Sequence, residues 1–527
     1  MKDMIESNKQ KDIKDFDCAF NKIISLASDM DMVLPNAAKQ SDDEMLSVEE
    51  QRKMLAVFAR YVSEGHPGFA DVQADNITFS DDVKNEFKEE LVKCYLSTNK
   101  ERSVLDMGKE LFKFSKKYLP DNHFNVFSTK GVPMGMMFSP EEHSAFKSDL
   151  KEYVSHNSLD ESKRGVIEHL YAERNQVGTN LFKDENIDLL IQNGAEILSD
   201  KKGETWRMTK IKHQDKDIMM IGMSSFAAIN RKGELDETLI KDFVDLAKEF
   251  SKQEYKDCDT LVLDLRGNGG GWPYIGDYMA RTLYGNTVST EPLGHLKLDT
   301  LAAKLSYAYI EGKNVIDRKR LIDQEQNTQY SKRDEAWTDT YPFNPELGYS
   351  KPILVLTDQN TGSNAELTIG RLREHPCVRT IGDHSCGVVQ YHPAATPKAA
   401  IPLPYGLKIA LPPEGYTGAN GERLEGTGYQ PDFSTVGKNA LLFGLNELDN
   451  ITQDIAKNMP EEKAVSTSAT RESRVDSVSE MNRKFIAANN PQLLGAFNEL
   501  VKVTATIPQL KVQNSRAYSK NNGVDFD

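Results

Sequence analysis

Through the first hundred residues the apolar positions recur at helical spacing. Val83, Phe87, Leu91 and Tyr95 form one such stripe, the mark of a helix with a single buried face. Ser47 and Glu50 stand at capping-box spacing just ahead of Met54, Leu55, Val57 and Phe58, which predicts a helix start there. Leu105, Leu111 and Phe112 carry the pattern on to Leu119-Pro120, where proline ends it. Residues 1–118 therefore read as a helical layer, structural rather than chemical.

From Asp121 the texture changes. The run His123-Phe-Asn-Val-Phe127 is strand-like, and helical stretches follow around 143–156 and 160–173. Residues 119–214 thus read as a histidine-bearing segment and a helical connector, with 131–215 mainly helical. A buried strand is predicted over 216–224. Leu239, Ile240, Phe243, Leu246, Ala247 and Phe250 then mark one face of a helix. The apolar run between Thr260 and Arg266 is short enough for a buried parallel strand. It enters Gly267-Asn-Gly-Gly-Gly271 and a helix predicted at 273–284. The pattern repeats with strand 353–357, a polar turn, a helix over 364–374 and a strand at 378–382. Such alternation predicts an α/β core over 215–436, a mostly parallel sheet covered by helices. A long polar insertion at 286–350, with Trp337 and Tyr341-Pro-Phe343, has the character of a lid or partner surface. Residues 437–527 read as helices around Leu441, Leu445, Leu448, Ile451 and Ile455, then a linker at 460–475, further helix and a polar tail.

Composition narrows the function classes. Among 527 residues, 65 are basic and 80 acidic, a formal charge of −15, which argues against a sequence-blind grip on nucleic acid or anionic lipid. No apolar run approaches the roughly 20 residues that cross a bilayer. The first segment lacks a secretory pattern, so a cytoplasmic protein is expected; an exported one whose leader has been removed would read the same. Cys18, Cys94, Cys258, Cys377 and Cys386 form no CxxC pair and no disulfide framework. No HExxH spacing occurs either, so neither a metal nor another cofactor is expected.

Chemistry has four candidate places. Ser363, in Asp358-Gln-Asn-Thr-Gly-Ser-Asn-Ala-Glu366, falls between a buried strand and a helix. Open α/β sheets place ligands at that edge, and the helix start offers free N–H groups to an oxyanion. A helix cap explains a serine there equally well. The hydrolase elbow GxSxG does not fit, since Thr361 and Ala365 occupy its glycine positions. Arg266-Gly-Asn-Gly-Gly-Gly271 can bring backbone N–H groups close to a ligand. Trp272 breaks a dinucleotide fingerprint there. His123, in Pro120-Asp-Asn-His123, competes with other histidines. Glu425 lies in the turn-rich Leu424-Glu-Gly-Thr-Gly-Tyr-Gln-Pro-Asp432.

Taken in order, the RGNGGG loop, TGSNAE, the turn Thr380-Ile-Gly-Asp-His-Ser-Cys-Gly387 and LEGTGYQPD resemble the C-terminal-processing (tail-specific) serine proteases. The tricorn core belongs to the same superfamily. The resemblance covers roughly 215–435 plus the segment near 121, and it implies a crotonase-like core flanked by helical N- and C-terminal regions. It implies a serine endopeptidase with Ser363 as nucleophile. The tail-specific branch takes its general base from a lysine one residue after the glycine of the IGxxxxG turn. Here that glycine is Gly387 and Val388 follows, leaving only Lys398 or Lys408 to reach in from elsewhere. The tricorn-like branch uses a histidine and a late glutamate, which His123 and Glu425 match. Asn122 stands where that core has a serine, so either Asn122 or Asp121 is left to orient the imidazole, and His66 is the rival base. The resemblance further implies that Asn364 and one of Gly269 and Gly270 donate N–H groups to the oxyanion. The PDZ module of the family is not apparent.

The expected partner is a peptide or protein substrate, with no nucleic acid and no transmembrane segment; a homo-oligomer is compatible. Two other classes compete. One is a catalytically silent ligand-binding member, similar to the interphotoreceptor retinoid-binding proteins. The other is a scaffold whose helical ends recruit a partner.

Overall fold

The computed structural model describes residues 15–34, 41–70, 77–171, 180–230, 234–285, 295–298, 300–310, 313–325, 332–333, 343–344, 347–391, 400–418, 421–436, 438–458 and 474–505. Lys398, Trp337, Tyr341, Pro342, nearly all of the predicted linker and the polar tail lie outside them.

The apolar runs assemble into one seven-stranded sheet. Its strands are β1 (Glu196–Lys202), β2 (Trp206–His213), β3 (Lys216–Met223), β4 (Thr260–Asp264), β5 (Ile353–Thr357), β6 (Val378–Gly382) and β7 (Phe433–Ser434). They lie side by side in chain order. The first three form an antiparallel meander, and β3 to β7 run parallel. Across the sheet Met219 stands opposite Leu261, Leu261 opposite Ile353, and Ile353 opposite Val378. Because side chains alternate between faces, this row and the row from Ile221 to Val355 meet one apolar core. Ile218, Met220, Val262, Leu354 and Leu356 meet another on the opposite face. Burial on both faces explains why β4 and β5 read as unbroken apolar runs.

The helices that matter to the site are α1 (Val48–Gly65), α2 (Val104–Tyr118), α3 (Glu161–Tyr171), α4 (Glu237–Ser251), α5 (Tyr274–Tyr284), α6 (Asn364–Arg373) and α7 (Leu494–Ala505). The capping box forms at α1: Ser47 N donates to Glu50 Oε2 at 2.8 Å, and Glu50 N to Ser47 Oγ at 3.3 Å. Val83, Phe87, Leu91 and Tyr95 are buried on the helix Asp81–Ser97. Phe497 of α7 packs its ring against Trp272 and Tyr274, so the C-terminal helices share the main core.

Two expectations are corrected. The stretch read as mainly helical contains β1 and β2, so the sheet begins near residue 196. The insertion is not simply polar: Leu298, Leu301, Ala302, Ala303 and Leu305 are buried in the core of the N-terminal layer. The helix Leu301–Ile310 approaches α1 so closely that a Cβ at Gly65 would lie 2.6 Å from the Cβ of Ala302. Apolar residues there were masked in the sequence by the charged flanks.

Helices α5 and α6 also meet at a glycine. A Cβ on Gly276 would fall 2.0 Å from Thr368 Oγ1, below any real contact. Gly276→Val is therefore expected to destabilise the protein by about 1–3 kcal/mol through overpacking, read by urea denaturation. An unchanged midpoint would show that the two helices do not touch as described.

Candidate active site

The loops after β4, β5 and β6 meet at the carboxyl edge of three neighbouring parallel strands, where open α/β sheets bind ligands. The middle loop carries Ser363. Its backbone adopts φ 55° and ψ −125°, a conformation that costs a non-glycine residue about 1–3 kcal/mol and persists only when its surroundings enforce it. Here they do. Ser363 N donates to Val388 O at 2.8 Å and to Glu366 Oε2 at 3.0 Å. Gly362 N donates to Asn268 O at 2.9 Å. The strained turn leaves Ser363 partly exposed at the start of α6.

Glu366 is fully buried. Besides Ser363 N it accepts from Ser385 Oγ at 2.6 Å, Gly387 N at 2.8 Å and Val388 N at 2.9 Å. Burial raises its pKa, and these donors oppose the rise. The position that a lysine base would occupy, Val388, thus serves the backbone of the nucleophile turn. Lys408 stands on the strand Lys408–Ala410, opposite Phe127.

The imidazole arrives from a different layer. His123 Nε2 lies 3.2 Å from Ser363 Oγ, across 240 residues of chain. The turn that carries His123 is set by Asp121, whose Oδ1 accepts from His123 N at 2.7 Å and Phe124 N at 3.0 Å. Asp121 Oδ2 faces His66 Nε2 at 3.0 Å, and both groups are fully buried. His66 Nδ1 accepts from Gly68 N at 3.0 Å, so its hydrogen sits on Nε2 and is donated to Asp121. Burial pushes Asp121 up, yet the His66 hydrogen bond helps hold it below its ordinary value. His66, the rival base, therefore acts on the aspartate and not on the serine. Beneath the turn, buried Lys116 of α2 donates to Asn122 O at 2.9 Å and Phe124 O at 2.6 Å. Burial pushes its pKa down to about 8 against the pull of Asp121 and Glu425.

Glu425 joins the same cluster. Its Oε1 accepts from Asn122 N at 2.9 Å, and its Oε2 from Val389 N at 3.2 Å and Gln390 N at 3.0 Å. Burial, then the charge of Asp121, pushes its pKa up to about 8, against the donated N–H groups. One carboxylate oxygen of Asp121, one of Glu425 and a ring nitrogen of His123 lie within 4.8 Å of one another. By spacing these three could hold a cation. All four carboxylate oxygens already accept hydrogen bonds, however, so a cation would have to displace them. The side-chain amide of Asn122 is buried without a hydrogen-bond partner among the described residues; Asp121, not that amide, fixes the backbone of His123.

The oxyanion side divides the two candidate glycines. Gly270 N donates to Asn268 Oδ1 at 2.9 Å, and Gly270 O accepts from Phe226 N at 2.9 Å. Of the two alternatives, the N–H of Gly270 is thus already engaged, whereas for that of Gly269 no acceptor occurs among the described residues. Gly270 has a different use. At φ +88° a Cβ there would lie 2.6 Å from Ser363 Cβ and 2.7 Å from Asn364 N, so its hydrogen leaves room beside the nucleophile. Asn364 is the first residue of α6 and its N–H has no acceptor within the helix; its side-chain amide donates to Gly271 O.

Sequence reasoning missed Glu366, Asn268, Lys116 and the His66–Asp121 pair. The S-x-x-E spacing of Ser363 and Glu366 was the one signal that could have found the first.

No curated protein sequence matches this chain. Matching solved structures include mature CPAF, at 12% identity over 78% of this chain and 98% of that one with a TM-score of 0.43. The photosystem II D1 C-terminal processing protease matches at 10% identity over 73% and 93%, TM-score 0.33. The tricorn protease matches at 12% identity over 68% of this chain and 37% of its own, TM-score 0.22. Residues 301–435, which carry Ser363, Glu366 and Glu425, match the family model of peptidase family S41.

Proposed function

We propose that the protein is a serine endopeptidase, with a crotonase-like core, that cleaves peptide bonds through an acyl-enzyme. The observation that carries the reading is the 3.2 Å approach of His123 Nε2 to Ser363 Oγ. A serine hydroxyl is a weak nucleophile until a neighbouring base takes its proton. In this reading Ser363 Oγ attacks the substrate carbonyl while Nε2 of His123 accepts the proton. The oxyanion meets the N–H groups of Asn364 and Gly269, each such donor contributing on the order of 3 kcal/mol. His123 then returns the proton to the leaving amine, and water releases the acyl group by the same route. Asp121 positions the turn and its charge favours the imidazolium, while Glu425 assists by holding the same turn through Asn122 N. The convergence of base, nucleophile and helix start at one sheet edge supports a catalytic member over a silent binding module.

The pH profile follows from the setting of His123. Its Nδ1 is buried although part of the residue is exposed. Burial pushes the pKa down to about 4; Asp121 opposes this and Lys116 adds to it. A lowered value keeps the imidazole neutral, hence competent as a base, below the roughly 6.5 of a free histidine. Hydrolysis at pH 5.5 is expected to retain more than half of the rate at pH 7, where a free histidine would leave about a tenth. For His123 alone stability moves the other way: between about pH 4 and 6.5 its imidazole binds a proton in the unfolded chain but not in the folded one, so acidification through that window removes its contribution to stability. A rate that halves near pH 6.5 would contradict the burial account.

The reading itself is tested by a fluorophosphonate probe with the adduct mapped by mass spectrometry. The adduct is expected on Ser363, absent in Ser363→Ala, and formed at least about a hundredfold more slowly in folded His123→Ala. Labelling that survives His123→Ala at full rate would remove His123 as the base; no adduct on folded wild-type protein would favour the binding module.

A further inference from the structure

The glycines of the loop after β4 do not all serve the same end. Gly267 has φ +72°, Gly270 φ +88° and Gly271 φ +131°, values that strain an L side chain. Contact forbids a side chain at two of them as well. A Cβ on Gly270 would fall 2.6 Å from Ser363 Cβ, and one on Gly271 2.2 Å from Ala227 N. Gly269 differs on both counts. Its φ lies outside the left-handed region, and a Cβ built on it meets no atom within 4 Å among the described residues. The fold by itself would accept an L side chain there.

The open space has a definite place. Gly269 is exposed while Asn268 and Gly270 on either side are buried, so it forms the lip of the loop. Asn268 holds that lip still: its N–H donates to Leu265 O at 3.0 Å, its carbonyl accepts from Gly362 N at 2.9 Å, and its Nδ2 donates to Met223 O at 3.2 Å. A Cβ on Gly362 would lie 3.8 Å from Gly269 O, so the lip and the nucleophile turn border the same gap. A carbonyl oxygen that accepts the N–H of Gly269 sits about 2.9 Å from that nitrogen, and a Cβ at 269 would be two bonds from the same nitrogen. The chain attached to that carbonyl is thereby brought to the space a side chain would fill.

We propose that Gly269 determines which substrates the serine site accepts: the gap left by its missing side chain takes an extended polypeptide carrying residues larger than alanine next to the scissile bond. The inference rests on the reading of Ser363 as the nucleophile and of Gly269 N as an oxyanion donor. Every residue except proline would keep that N–H; only glycine leaves the gap.

The test compares full-length wild type with Gly269→Ala. A tryptic digest of casein is the peptide probe, with cleavage sites and rates read by mass spectrometry, and fluorophosphonate labelling of Ser363 is followed in parallel. Gly269→Ala is expected to unfold at a urea concentration no lower than wild type, because alanine fits and restricts the unfolded chain. Its cleavage should fall at least about tenfold further than its labelling, the discrimination that one methyl group gives in a fitted site. Cuts beside glycine or alanine should outlast those beside larger residues. A lower urea midpoint would show that the fold itself needs this glycine, and overturns the inference. So would cleavage and labelling that fall by the same factor with unchanged cutting sites, or a labelled wild type that cuts nothing in the digest. A folded wild type that takes no label on Ser363 instead overturns the serine reading, and the inference falls with it.

Discussion

The site depends on one buried carboxylate. Glu366 gathers a hydroxyl and three backbone N–H groups from two loops, the nucleophile turn and the segment 385–388. Hydrogen bonds to a charged group stabilise by about 1.5–3 kcal/mol each, and four of them oppose, without cancelling, the cost of taking the charge out of water. They also sustain the strained backbone of Ser363, which no single contact would hold. The glycine-rich loop is fastened to the same turn by Asn268 and by Thr361, whose Oγ1 donates to Leu265 O at 2.9 Å. Three strand ends thereby become one rigid edge.

A second buried set holds the imidazole against that edge. Asp121 collects His66 from the end of α1, while Lys116 of α2 supports two carbonyls of the same turn. Glu425 then ties Asn122 to residues 389 and 390, just beyond the loop that Glu366 commands. The helical layer, expected to be without chemistry, is therefore what positions the His123 imidazole. Removing one member of such a set would leave its partner buried and uncompensated, which costs more than the pair contributes. The arrangement explains how residues 240 positions apart reach hydrogen-bond distance: each is held by its own layer, and shared carboxylates join the layers.

Much of this was legible in the chain. Runs such as 261–263 and 353–356 announce parallel strands because both faces are buried, and the capping pair Ser47–Glu50 marks its helix because cap chemistry is local. Ser363, His123 and Glu425 could be picked out by their motif order. Strands β1 and β2 could not, since Glu196–Lys202 alternates exposed and half-buried positions and four of its seven residues are charged; only pairing with β2 makes it a strand. Lys116 reads as an ordinary surface lysine at a helix end, and its burial depends on a turn that folds over it. The choice between Gly269 and Gly270 was not legible for a similar reason, because the Asn268 side chain that takes the Gly270 N–H is one residue type among many in a loop.

The most direct measurement is the fluorophosphonate labelling rate of Glu366→Ala and Glu366→Gln, each verified as folded by circular dichroism. If one carboxylate sustains the nucleophile turn, Glu366→Ala should lose labelling by at least about a hundredfold. Glu366→Gln should also fall well below wild type, because its amide nitrogen faces donors it cannot accept from. A Glu366→Ala protein that labels Ser363 at the wild-type rate would contradict the account.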